Sequence, residues 1–114
     1  MWGYQPWDND RAADWFAKIV ADSNLANNVR ETLEQAIALD YLDDEVYRIR
    51  AACYCLLKFG YVYVWPVNQL KGDLQLAIRA IDRVLQENEE EYEQLKDLFL
   101  AEKQELQIRL SLLE

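Results

Sequence analysis

The chain has 114 residues, enough for one domain with a buried core and too few for two. Its 21 acidic residues outweigh 12 basic ones, a formal net charge of -9, and it contains no histidine. Such a surface is repelled by phosphate backbones and anionic membranes, and without imidazole there is no Ser-His-Asp or Cys-His catalysis, no His-ligated metal and no histidine pH switch.

Composition is globular, at 52% hydrophobic and 29% charged, with four Trp and seven Tyr. Three Gly and two Pro give too little turn punctuation for an all-β fold and cannot build a phosphate-binding glycine loop. The expected class is all-α: a single helical domain over residues 1–114, with about five helices.

The chain opens with an extended N-terminal arm, because Pro6 fixes its own φ and steers Gln5 away from helix. Asp8 or Asn9 supplies an N-cap oxygen and Asp10 puts negative charge in the first turn. Ala12, Trp15, Phe16 and Ile19 share one stripe, predicting a first helix over residues 10–21. Ser23 or Asn24 caps the second, where Leu25, Val29, Leu33, Ala36 and Ile37 keep the period and Arg30 pairs with Glu34 on the wet side. Asp43 caps the third. Val46, Ile49, Ala52, Cys53, Leu56 and Leu57 cover more than one of its faces, which makes it the expected central helix, ended by Gly60.

Residues 61–67 alternate β-branched and aromatic side chains, but no second strand is available to pair with them. They read as an extended loop packed on the core. The fourth helix is expected to start at a capping Asp73, with Leu74, Ala77, Ile78, Ile81, Val84 and Leu85 inward. Asn88 and Glu91 resemble a capping box for a last helix running to about residue 111. Tyr92, Leu95, Phe99, Leu106, Leu110 and Leu113 face inward there. Leu98, Ile108 and Leu112 lie off that stripe, so this helix is expected to meet a partner chain and is the route to a homo-oligomer. Glu102 and Arg109 interrupt the stripe and argue against a long autonomous coiled coil.

Cys53 and Cys55 are two residues apart, so on a helix they point about 200° apart. They suit neither a disulfide nor a joint metal site and read as small apolar residues. Free thiols and the lack of a signal-peptide pattern point to the cytoplasm. The apolar run over residues 51–67 is too short and too broken to span a bilayer.

The densest chemistry lies in residues 2–16. Asp10 and Asp14, at i,i+4, repel each other on one helix face by roughly 0.2–0.5 kcal/mol. The compensation expected first is an arginine such as Arg48 or Arg50 beside Asp14. A hard cation held by Asp8, Asp10 and Asp14 is the metal alternative, and the polar rim of a partner surface is the third. Trp2, Tyr4, Trp7 and Trp15 are expected chiefly as core, with partner recognition as their other use. The acidic stretch over residues 87–105 reads first as a solvated face, and otherwise as a surface for a basic partner.

Trp2, Gly3, Pro6, Asn9, Asp10, Ala12, Asp14 and Trp15, with Trp7 in an aromatic position, resemble the opening signature of a bacterial family, the domain of unknown function numbered 4259. Weaker likeness runs through Ala51, Ala52 and Gly60, then Ala77, Ala80, Asp82, Val84 and Leu85, to Arg109 and Leu110. A carboxylate expected near Cys53 and a tryptophan expected near residues 95–97 are missing. The resemblance implies a small helical bacterial protein without an assigned role, and it carries over no activity and no cofactor.

The expectation is therefore a non-enzymatic protein-interaction domain, of the immunity or inhibitor kind, whose partner is a protein and basic rather than nucleic acid or membrane. Trp2, Trp7, Asn9, Asp10 and Asp14 are its candidate ligand- or partner-binding residues. The rival is a divalent-metal or small-ligand binder, or an enzyme, built on Asp8, Asp10 and Asp14.

Overall fold

The computed structural model describes residues 10–87 and 90–113, the side chains of residues 90–92 excepted. Five α-helices follow one another: α1 (Asp10–Asp22), α2 (Leu25–Ile37), α3 (Glu45–Phe59), α4 (Val67–Gln86) and α5 (Lys96–Ser111). A 3-10 turn, Glu90–Leu95, leads into α5. No strand occurs among the described residues, and the fold is the all-α domain that the composition implies. No helix in them is long and apolar enough to cross a membrane.

The centre of the bundle is α4, not α3. It runs for 20 residues and buries Leu70, Asp73, Leu74, Leu76, Ala77, Ala80, Ile81 and Val84, eight residues against five in α3, and it packs against α2, α3 and α5. It also starts six residues before the expected cap. Pro66 takes the N-cap position, where its missing N–H costs nothing, and its carbonyl accepts from the N–H groups of Gln69 and Leu70. Gly72 and Asp73, which look like a helix start in the sequence, sit inside the helix.

Residues 61–65 fold into a tight turn rather than running extended, with the N–H groups of Val64 and Trp65 both donating to the Tyr61 carbonyl. As expected of a core-packed loop, Val64 and Trp65 are buried. Gly60 ends α3 with φ -80, so it is not there for a left-handed turn. Its N–H closes on the Leu56 carbonyl at 2.7 Å, and a Cβ at this position would run into that same oxygen.

Helix α1 lies rotated by about one residue, roughly 100°, from the predicted stripe. Ala13 and Val20 are buried while Trp15 is 58% exposed and Ile19 is exposed. Phe16 anchors it, at 6.1 Å between ring centroids from Phe59 of α3. Side-chain caps are also fewer than the sequence suggests. Asn24 and Asp44 occupy N-cap positions without capping bonds, and Asp43 is left-handed with φ 49 instead of capping α3.

Candidate partner-binding surface

Among the described residues one carboxylate is buried, Asp73, at 1% exposure. Its oxygens accept from the Trp65 indole N–H at 2.9 Å, the Gln69 amide at 3.2 Å and Arg30 Nε at 3.0 Å. One turn inside α4, it therefore ties together the 61–65 turn, its own helix and α2. Arg30 was expected to pair with Glu34 along α2; it reaches across to Asp73 because a buried carboxylate needs a cation more than an exposed one does.

Two further arginines bind backbone carbonyls at or just beyond helix ends. Arg109 of α5 donates to the carbonyls of Leu56, Leu57 and Gly60 at the end of α3 and to the Tyr61 hydroxyl. Its guanidinium also lies 4.1 Å from the Tyr61 ring centroid. Arg83 of α4 donates to the carbonyls of Leu39 and Asp40 just beyond α2, at 3.3 and 2.9 Å. It pairs at 2.7 Å with Glu87, which in turn accepts from the Leu42 N–H at 3.4 Å.

The α2–α3 loop is thus pinned at three backbone groups and anchored by the buried Leu42. On this fixed frame Tyr41 stands 83% exposed, beside exposed Leu39 and between the exposed carboxylates of Asp40, Asp43 and Asp44. An aromatic ring with an acidic rim on a rigid backbone has the makeup of an interface anchor. Sequence reasoning passed over this loop. The available signal was a tyrosine that belongs to neither helical stripe, set in a run of acids.

Among the residues singled out in the sequence, Trp2, Tyr4, Trp7, Asp8 and Asn9 lie outside the described residues. Asp10 and Asp14 are both exposed on α1. The arginines expected to compensate Asp14 are engaged elsewhere: Arg48 with Glu45 at 3.7 Å and Arg50 with Glu102 at 3.1 Å. Among the described residues no group of three His, Cys, Asp or Glu is placed to hold a metal ion. The acidic stretch of the last helix is not one free negative face. Glu93 pairs with Lys96, Glu102 with Arg50 and Glu105 with Arg109.

Open grooves flank the outer ridge of α3. One, of about 350 Å³, is lined by Asn28, Thr32, Arg48, Ala51 and Cys55 among others. The other, of about 330 Å³, lies between Tyr47, Arg50, Ala51, Tyr54 and Glu102. Neither is equipped for nucleophilic chemistry. Burial pushes the Cys55 thiol up. Burial, and to a lesser degree the nearby Glu102 carboxylate and Cys55, pushes Cys53 up to about 12. Both thiols are therefore protonated near neutrality and poor nucleophiles.

The model of a family described as Domain of unknown function (DUF4259) matches residues 1–57. The match takes in the opening signature and the Tyr41 loop and ends inside α3, so the weaker likenesses in α4 and α5 lie beyond it. No curated protein and no solved structure matches the chain.

Proposed function

The chain belongs to the DUF4259 family, and on that premise we propose that it is a non-enzymatic, cytoplasmic interaction domain that receives a basic partner protein on residues 39–45. The observation that carries this reading is Tyr41, exposed at 83% on a loop held by Arg83 and Glu87. A large ring kept in water on a pinned backbone loses little conformational freedom on binding, which favours association. The carboxylates around it and the net charge of -9 speed encounter with a positive surface and reject a negative one. The wider surface agrees: Trp15, Tyr47 and Tyr54 are exposed as well, and interface hot spots favour these residue types. Two reduced thiols suit the cytoplasm, and an inhibitor or immunity role fits an acidic domain without catalytic groups.

Capture of partners from lysate of the cell of origin tests it, with parent and Tyr41→Ala baits compared at low and high salt. A basic protein retained by the parent at low salt, released by 0.5 M salt and lost with the variant is the expected outcome. Equal capture by both baits would remove the loop from the interface.

A further inference from the structure

Helix α5 carries two apolar sides. Phe99 and Leu106 are buried, with Leu110 and Leu113 half-buried beside them. On a second side Leu98, Ala101, Glu105, Ile108 and Leu112 are all exposed. Their spacing of three, four, three and four residues is the a/d pattern of a helix–helix seam, in which facing side chains interdigitate along the whole contact. The seam survives to its end, because Leu112 keeps helical angles (φ -70, ψ -17) and its N–H still bonds back to Ile108 and Arg109.

We infer that this seam docks an amphipathic helix of another protein, with apolar residues at heptad spacing and a Lys or Arg facing Glu105. The centre of the seam decides its occupant. Glu105 is held from one side only, by Arg109 at 3.3 Å, and its side chain is 56% exposed. The exposed Asp97 flanks the seam, Glu102 is neutralised by Arg50 at 3.1 Å, and the guanidinium of Arg109 is drawn toward the carbonyls that end α3. The strip is apolar at its ends and negative at its middle. A second copy fits it badly: in-register parallel pairing sets Glu105 against Glu105, and either orientation brings together two chains that each carry a net charge of -9. A basic helix meets both demands. The seam includes no residue of the Tyr41 loop.

The probe is a labelled 18-residue synthetic helix with Leu at its a and d positions, Lys at the central a position and Lys along its flanks. Its counterpart replaces every Lys by Glu. Fluorescence anisotropy against the full chain at 50 mM salt is expected to show saturable binding of the basic peptide alone. Ile108→Asp should weaken it at least tenfold, Glu105→Lys should turn the preference toward the acidic peptide, and Tyr41→Ala should leave Kd within twofold. The solvent-facing substitutions are checked for an unchanged urea midpoint. No saturable binding, or binding that Ile108→Asp leaves intact, would overturn the inference. So would sedimentation showing a parent dimer that Ile108→Asp dissolves, since the seam would then belong to a second copy. If only Tyr41→Ala abolishes peptide binding, the seam fails while the loop stands.

Discussion

At the residue scale Asp73 is the buried carboxylate that joins three segments of the fold. Three donors from the 61–65 turn, from α4 and from α2 converge on its carboxylate. Asp73→Ala strands the buried indole N–H and leaves Arg30 without its counter-charge. Urea unfolding should show a loss of about 3–5 kcal/mol, the range for breaking a buried pair; a loss below about 1 kcal/mol would mean that solvent replaces the network easily. Cys53 makes a separate prediction with a definite sign. Its thiol is held protonated up to about 12 in the folded chain, whereas an unfolded chain releases that proton near its ordinary value of about 9. Between those values the folded state binds the extra proton, so stability falls as pH rises, by up to about 1.4 kcal/mol per pH unit. Cys53→Ala should flatten that part of the profile, and an unchanged slope would contradict the assignment to this thiol.

At the element scale, helices end where another helix supplies the missing partner. Arg109 closes α3 and Arg83 steadies the chain leaving α2, so the two ends depend on residues that lie 43 to 53 positions downstream. Most helix ends were legible all the same: α1 spans 10–22 against the expected 10–21, Asn24 precedes α2, Gly60 follows α3 and α5 closes at Ser111. The stripes of α2, α3 and the core side of α5 follow directly from apolar spacing. The start of α4 was misread because Gly72-Asp73 has the local look of a cap, while the donors that make Asp73 an interior residue come from Trp65 and Arg30. Nothing local reveals such a partner. The two glycines test this account in opposite directions. Gly72 is exposed inside α4 with open space around its Cβ position, so Gly72→Ala should stabilise by about 0.5–1 kcal/mol. Gly60→Ala meets the Leu56 carbonyl and should cost more than about 1 kcal/mol. Thermal melts of both variants give the comparison, and the same sign for both would contradict it.

At the scale of the whole molecule, the bundle is elongated, 46 × 25 × 23 Å. Its interior is organised by α4, and its exposed aromatics stand on a negatively charged chain. The candidate site was only partly legible for a physical reason. Sequence signals for function are weighted toward motifs, and the opening signature drew attention to Asp10 and Asp14, which the fold leaves exposed on α1. The Tyr41 loop has no motif. Its character comes from Arg83, Glu87 and the buried Leu42 fixing a backbone that short-range reading treats as a connection. The measurement that bears most directly on the central claim is photo-crosslinking in the cell of origin, with a benzophenone amino acid placed at position 41 and, as a control at another exposed aromatic, at position 63. A discrete adduct with a basic protein from position 41, weakened when Asp40, Asp43 and Asp44 are changed to Asn and absent from position 63, is what the account predicts. Adducts of equal strength from both positions, or none from 41, would contradict it.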